Sequence, residues 1–145
     1  MTICGINHLA AVSADLDRLI DFYGSVFGAK TIFDMTEDGM RHAALGLGAG
    51  AALHVFEMPD NPQAHASPEM FGRGHLDHFA ITAEDEASFE ALRQRLVEAG
   101  ASDGTVTDFG MLASVSFTDP DGTFAEVAIW RNGRPRTYAE ATTRS

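Results

Sequence analysis

The 145-residue sequence predicts an α+β protein built from two copies of one strand–helix–strand–strand–strand (βαβββ) module. Two strand-like segments, around His8 and His78, each run into a stretch with apolar residues at helical spacing. Both predicted helices end at Gly-Ala. The offset is nearly constant, since 70 residues separate the two histidines and 72 separate Gly28 from Gly100. Self-similarity at one period indicates a duplicated module.

The first module opens with a predicted strand over residues 6–12. Asp15 is expected to cap the helix Leu16–Phe27, because a short acceptor side chain can satisfy the free N–H groups of a first helical turn. Gly28 is expected to end that helix in the left-handed conformation. Three apolar runs separated by turn residues then predict strands over 31–35, 41–47 and 51–58.

The second module repeats this order, with a strand over 76–82, a helix over about 85–99, and strands over 104–109, 112–118 and 123–130. Asp119-Pro120-Asp121-Gly122 predicts a tight turn between the last two strands. We therefore expect a single domain organised as module one over 5–58, a linker over 59–73, module two over 74–131 and a tail over 132–145.

Composition narrows the classes of function. A length of 145 residues with 45% hydrophobic content is typical of one globular domain or of two small modules that share a core. The net charge of −11 argues against a nucleic-acid partner, which requires clustered Lys and Arg. No apolar run approaches the ~20 residues of a membrane span. With one cysteine, Cys4, and no signal-like N-terminus, we expect a cytoplasmic protein without a membrane partner.

These features together resemble the vicinal oxygen chelate superfamily, which includes glyoxalase I, extradiol dioxygenases, fosfomycin-resistance enzymes, methylmalonyl-CoA epimerase and bleomycin-binding proteins. The resemblance is carried by the histidine in each opening strand and by Asp-Pro-Asp-Gly-x-x-x-Glu in the last. Further matching pieces are residues 16–23, 26–28 and 53–59, and the resemblance covers about 6–130. It implies that the two modules form an open barrel around a metal ion.

The resemblance also implies the ligands of that ion, one inward side chain from the first and last strand of each module: His8, His54, His78 and Glu126. The spacing supports this set, because 72 residues separate His54 from Glu126, close to the repeat period. Imidazole and carboxylate ligands suit Zn, Fe, Ni, Co or Mn, and the absence of thiolates argues against a structural zinc site. Strand alternation places an apolar wall, the predicted substrate pocket, beside the ligands: Phe56, Met58, Phe124 and Trp130.

Position 54 leaves two alternatives open. His54 can be a fourth ligand, which the repeat symmetry favours. Alternatively, His8, His78 and Glu126 alone form a two-His-one-carboxylate triad, the pattern of Fe(II) dioxygenases, with His54 as a general base beside the ion. Glu126 is in either case the only carboxylate of the set, and so a candidate catalytic group along with His54.

The remaining polar candidates are interpreted as structural. Glu57 has the opposite strand parity from His54 and is expected to face away from the ion. No site role is predicted for His42, in mid-strand, for His65, in the linker, or for His75. The arginines at the chain end are interpreted as a solvated or intersubunit extension: Arg131, Arg134, Arg136 and Arg144.

Two classes of function follow from the resemblance. The first is a metal-dependent enzyme whose small substrate chelates the ion through neighbouring oxygens, either an isomerase or lyase of the glyoxalase type or a ring-cleaving dioxygenase. No basic cluster suggests a site for a glutathione carboxylate or a phosphonate, so a small neutral or weakly acidic metabolite is the expected substrate. The second is a non-catalytic drug- or metabolite-binding protein of the bleomycin-resistance type. A homodimer is expected in either case.

Overall fold

The computed structural model describes residues 5–61, 74 and 76–131, which contain two helices and two four-stranded sheets. The elements follow in the order β1 (His8–Ser13), α1 (Leu16–Phe27), β2 (Thr31–Glu37), β3 (Met40–Gly48), β4 (Ala51–Glu57), β5 (Phe79–Thr82), α2 (Glu86–Glu98), β6 (Val106–Asp108), β7 (Leu112–Thr118) and β8 (Phe124–Trp130).

The two sheets have the same topology. The first has the strand order β1-β4-β3-β2 and the second β5-β8-β7-β6. In each, the opening strand pairs in parallel with the last strand of its module, and the other pairings are antiparallel. The predicted α+β fold with two βαβββ modules is therefore confirmed.

Helix α1 covers one face of the first sheet. Its Asp15 cap accepts from the backbone N–H of Arg18 at 3.0 Å, and Gly28 ends it at φ 69°, both as predicted. The apolar face of the helix is buried, and so are the alternate residues Leu53 and Val55 of β4, one of the strands it contacts. Because strand side chains alternate, the even-numbered residues of β4 lie on the face away from α1.

The second unit is built the same way around α2 and β8. Phe89 and Leu96 of the helix are buried, as are Ala125 and Val127 of β8. Glu126 lies between those two core residues in the strand, so its side chain projects from the opposite face.

The turn between β7 and β8 belongs to the first compact unit, which joins residues 5–61 with Asp119–Gly122. Asp121 accepts from the Ser13 hydroxyl at 2.5 Å, from the backbone N–H of Ala14 at 3.1 Å and from the Arg18 guanidinium at 3.1 Å. The buried Tyr23 hydroxyl donates to Asp119 at 3.2 Å. The strongly predicted turn thus has a second role, satisfying buried polar groups at the start of α1.

Some element boundaries differ from the prediction. Strand β5 begins at Phe79, so His78 directly precedes the strand. Strand β6 is only three residues long, and Gly104, which was expected to begin it, adopts φ +76°, a conformation that a strand does not accommodate. Neither of the two helices in the described residues is long and apolar enough to cross a membrane.

Several predicted features lie outside the described residues. They are most of the linker, the tail and its last three arginines, and three single residues: Cys4, His65 and His75. Of the arginine group, Arg131 is described, and it donates to Glu86 at 2.9 Å and to Asp108 at 3.4 Å within the second unit.

Candidate metal centre

The four predicted ligands lie two in each unit, at equivalent register positions: His8, His54, His78 and Glu126. In the first sheet, His8 pairs with Ala52, two residues before His54. In the second, the β5–β8 register extended by one residue sets His78 opposite Phe124, two residues before Glu126. The same stagger therefore recurs in both modules, independently of any family resemblance.

In the first unit, His8 and His54 lie together on the face away from α1. Their ring centroids are 5.9 Å apart in an edge-to-face arrangement. The His54 ring is half-buried, with Phe56 at 4.4 Å and Phe33 at 5.5 Å between centroids. Burial lowers the pKa of His54, and the neighbouring His42 and His8 lower it further. His54 is therefore held in its neutral form, the form that binds a metal or accepts a proton.

The residue before each opening histidine fixes which of its ring nitrogens is available. His8 Nδ1 lies 2.8 Å from the Asn7 amide oxygen, and His78 Nδ1 lies 2.7 Å from an Asp77 carboxylate oxygen. Both oxygens are acceptors, so each Nδ1 carries the proton and donates it. Each Nε2 therefore has its lone pair free of the ring proton, and an imidazole held in this way by an acceptor is the usual state of a metal ligand.

Glu126 is half-buried on the face of the second sheet away from α2. It pairs with Ala80 of β5 and with Ser116 of β7, whose hydroxyl is 3.5 Å from Glu126 Oε1. The small neighbours on either side leave the carboxylate room to reach a ligand or a substrate.

Two of the four predicted pocket residues contact a predicted ligand in the structure. Phe56 packs against His54, and Phe124 contacts His78 edge-to-face at 5.9 Å. Trp130 ends β8 half-buried, and Met58 follows the end of β4 with 37% of its surface exposed. A role for these side chains in binding substrate stays a prediction.

Reasoning from the sequence did not place His42 beside the site. Its Nδ1 lies 2.9 Å from His54 Nε2, and its ring stacks on Phe56 at 5.6 Å. A signal was present, because positions 42 and 56 are equidistant from Ala49 in the Gly-Ala-Gly turn that joins β3 to β4. Pairing the two strands about that turn sets His42 opposite Phe56 and on the face of His54.

Glu57 faces the other way, as its strand parity predicts. Its Oε1 accepts from the backbone N–H of Leu16 at 2.8 Å, at the start of α1. Over residues 5–61, 74 and 76–131 there is no group of three or more His, Cys, Asp or Glu side chains placed to hold a metal ion. The chemistry of the donors nonetheless fits one, since both opening histidines present a nitrogen free of the ring proton, His54 is neutral and Glu126 adds a carboxylate.

Comparison with known proteins agrees with this architecture. Residues 5–127 match the model of the glyoxalase/bleomycin resistance protein/dioxygenase superfamily. The chain belongs to that superfamily. It is 31% identical over 141 residues to a lactoylglutathione lyase of Arabidopsis thaliana, covering 94% of this chain and 48% of the relative. The chain thus spans about half the length of that plant protein.

A second relative matches over most of its own length. The metallothiol transferase FosB of Lysinibacillus sphaericus is 34% identical over 127 residues, covering 84% of this chain and 79% of the relative. Among solved structures, a domain of the same superfamily from Frankia sp. EAN1pec superimposes with a TM-score of 0.74 at 22% identity, covering 92% of this chain and 96% of that one. The fosfomycin resistance protein FosX of Listeria monocytogenes gives 0.68 at 19% identity, covering 96% and 98%. These last two similarities concern the fold.

Proposed function

We propose that the chain is a metal-dependent enzyme whose small substrate binds through two neighbouring oxygens, and that it acts as a lyase or isomerase. The observation that carries the proposal is the repeated donor arrangement. In each module a histidine held by the preceding Asn or Asp stands two register positions from a second donor. A lactoylglutathione lyase among the relatives favours a lyase over an oxygenase, and the metallothiol transferase is likewise not an oxygenase.

One divalent ion of the Zn, Fe, Ni, Co or Mn group would be held by four side chains: His8, His54, His78 and Glu126. When bound, such an ion polarises substrate oxygens and stabilises an enolate or oxyanion. Glu126 is the candidate base that accepts a substrate proton, since it is the only carboxylate of the set. Phe56 and Phe124, packed against the histidines, would exclude water from the reacting atoms.

A ring-cleaving Fe(II) dioxygenase is the second candidate. His54 Nε2 is engaged with His42 at 2.9 Å, so the triad of His8, His78 and Glu126 can act without it. In that case His54 is a base beside the ion. The metal separates the two candidates, because the dioxygenase candidate uses Fe(II) and O₂ whereas lyase or isomerase chemistry proceeds with redox-inactive zinc, or with nickel or cobalt, and needs no O₂.

The test is elemental analysis of the full chain purified without chelator, followed by turnover assays after reconstitution with each metal. The panel comprises a hemithioacetal of an α-ketoaldehyde, fosfomycin with a thiol or water, a catechol and a vicinal diol. We expect about one transition metal per chain and turnover of an α-ketoaldehyde or related chelating substrate. No metal, no turnover and tight binding of an apolar ligand would establish the bleomycin-type binding protein instead.

Whether the four ligands come from one chain or from two copies of a homodimer is a separate question, because duplicated modules permit either. Mixing a His8→Ala variant with a Glu126→Gln variant answers it. If each site combines two copies, mixed dimers contain one intact site and activity returns. If each chain completes its own site, the mixture stays inactive. The dimer itself and a cytoplasmic location stay predictions.

A further inference from the structure

The His42–His54 pair contains two imidazoles in direct contact on the face of the first sheet away from α1. His42 Nδ1 and His54 Nε2 are 2.9 Å apart, so one nitrogen donates its proton to the other. Ala44 stands directly opposite His54 in the paired strand. Its small side chain lets the longer His42 reach His54 diagonally, and stacking on Phe56 with the ring planes 3° apart fixes the plane of the His42 ring.

Two proton arrangements are possible, and the far side of the His42 ring distinguishes them. His42 Nε2 is buried and makes no hydrogen bond in the described part of the chain. The Glu37 carboxylate lies 3.8 Å from it, beyond hydrogen-bond distance. If His42 Nδ1 donated to His54, His42 Nε2 would be a bare lone pair, buried and facing a carboxylate. That arrangement combines an unsatisfied acceptor with electrostatic repulsion.

The opposite arrangement also leaves His42 Nε2 without a hydrogen bond, but it replaces the repulsion from Glu37 by attraction. His54 Nε2–H donates to His42 Nδ1, and His42 Nε2 then carries a proton directed towards the negative charge of Glu37. We propose that His42 is a positioning residue that fixes the tautomer of His54, so that His54 presents its Nδ1 lone pair to a metal ion or a substrate proton. His8 and His78, held at Nδ1, present Nε2 instead, so the three candidate histidines are of two kinds.

The second module also has a polar residue beside its last-strand candidate ligand. There, Ser116 of β7 stands opposite Glu126, and its hydroxyl approaches the carboxylate at 3.5 Å. In both modules the strand that pairs with the last strand therefore supplies a polar group to the candidate ligand. In the first module that group is the His42 imidazole, which determines which of the two nitrogens of His54 carries the proton. A hydroxyl beside a carboxylate makes no such selection.

The expected effect of the His54 tautomer on metal binding rests on the proposed function. The measurement of the tautomer itself does not. The test is long-range ¹H–¹⁵N NMR of the imidazoles in the metal-free full chain at about pH 8, where an ordinary histidine is neutral. The His54 signals are assigned with a His54→Gln variant. We expect wild-type His54 as the Nε2–H tautomer. A His54 that carries its proton on Nδ1 overturns the inference.

Three variants extend the test. His42→Phe keeps an aromatic ring against Phe56 but removes the acceptor, so we expect the tautomer preference of His54 to be lost. His42→Asn keeps an acceptor oxygen near the place of Nδ1 and is expected to retain the preference. Phe33→Leu is the matched control, because it removes another ring that contacts His54 but no hydrogen bond. An unchanged tautomer in His42→Phe would also overturn the inference.

Titration of the same metal-free proteins with Co²⁺ then measures the consequence. His42→Phe should weaken Co²⁺ binding by about 10–100-fold, the usual effect of removing a group that orients a ligand. Phe33→Leu should change it little. If the wild type binds no metal, the proposed function fails, and the NMR result alone still decides whether His42 fixes the tautomer of His54. If it binds metal tightly with His54 protonated on Nδ1, the proposed function stands and the inference fails.

Discussion

At the scale of single residues, the candidate site depends on which atom of each side chain is left available. Asn7 and Asp77 act on the histidines that follow them, and the effect is local because a side chain can reach the next residue in the chain. Glu126 has no such neighbour, and only the Ser116 hydroxyl approaches it among the described residues. Its carboxylate is thus the group whose charge is expected to matter most.

Glu126→Gln should damage metal binding and turnover more than folding. The amide keeps the shape of the side chain between Ala80 and Ser116. It removes the charge proposed to balance the ion and the carboxylate proposed to accept a proton. Losing a positioned base alone costs about 10²–10⁴ in rate. Bound metal, melting temperature and turnover are the measurements.

Glu57→Ala is the control for that prediction, and it should show the reverse pattern. Glu57 caps the start of α1 and faces away from the site, so melting temperature should fall while metal content stays. Full metal occupancy and full activity in Glu126→Gln would contradict the catalytic assignment. His54→Ala completes the set, because a ligand changes metal content whereas a base changes mainly turnover.

Tyr23 is expected to make stability fall at alkaline pH. Burial raises the pKa of its hydroxyl, and the charge of Asp119 raises it further. Below the pKa of about 10 that tyrosine has in the unfolded chain, the phenol is protonated in both states. The contribution of Tyr23 to the free energy of unfolding is then fully present. Above that pH only the unfolded chain ionises, and this contribution to stability falls by about 1.4 kcal/mol per pH unit.

Tyr23→Phe should therefore lose less stability than the wild type as the pH rises. Urea unfolding of both proteins between about pH 8 and pH 11 measures the difference across the pKa of an unfolded tyrosine. All other titrating groups are common to the two proteins, so their effects cancel in the difference between the two free energies of unfolding. Parallel pH profiles would show that Tyr23 ionises equally in the folded and unfolded states.

At the scale of elements, the Asp119–Gly122 turn contributes to the first unit rather than to the strands it joins. Asp121→Ala should lower the free energy of unfolding by roughly 2–3 kcal/mol, because the carboxylate accepts from buried Ser13 and from Ala14. A double-mutant cycle with Ser13→Ala measures the pair directly. A coupling energy near zero would mean that the turn only closes the β7–β8 hairpin.

The connection from α2 to β6 depends on one glycine. A Cβ at Gly104 would lie 2.7 Å from Val97 Cγ2, in addition to the cost of φ +76°. Gly110, at φ +85°, has open space around it and is the matched control. Gly110→Ala should cost about 1–2 kcal/mol from the backbone alone. Gly104→Ala should cost about 1–3 kcal/mol more from overpacking, as measured by urea unfolding.

At the scale of the whole molecule, the proposed function assigns two candidate ligands to each module. Adding metal to the stripped chain at a hundredfold excess over Kd should raise the free energy of unfolding by about 2.7 kcal/mol, reversibly with chelator. If the proposed ligand set is right, both His8→Ala and His78→Ala should remove most of this gain. If only one of the two variants loses it, the ion belongs to one module alone.

Much of the fold could be predicted from the sequence because its signals are local. The Asp15 cap and the helix end at Gly28 were predicted to the residue, since each depends on interactions within one turn. Strand β7 also matches its predicted limits. The lengths of β5 and β6 were overestimated, because a strand extends only as far as its partner pairs with it.

The sequence by itself determined the duplicated module, the order of its elements and the strand faces on which His54 and Glu126 lie, because these follow from periodicity and from a repeat visible along the chain. Only the tertiary structure decided that His42 contacts His54 and that the Asp119–Gly122 turn packs on the start of α1. The first depends on cross-strand register, and the second joins residues more than one hundred positions apart. Neither contact is encoded by the residues adjacent in sequence, so each is settled only when the chain packs.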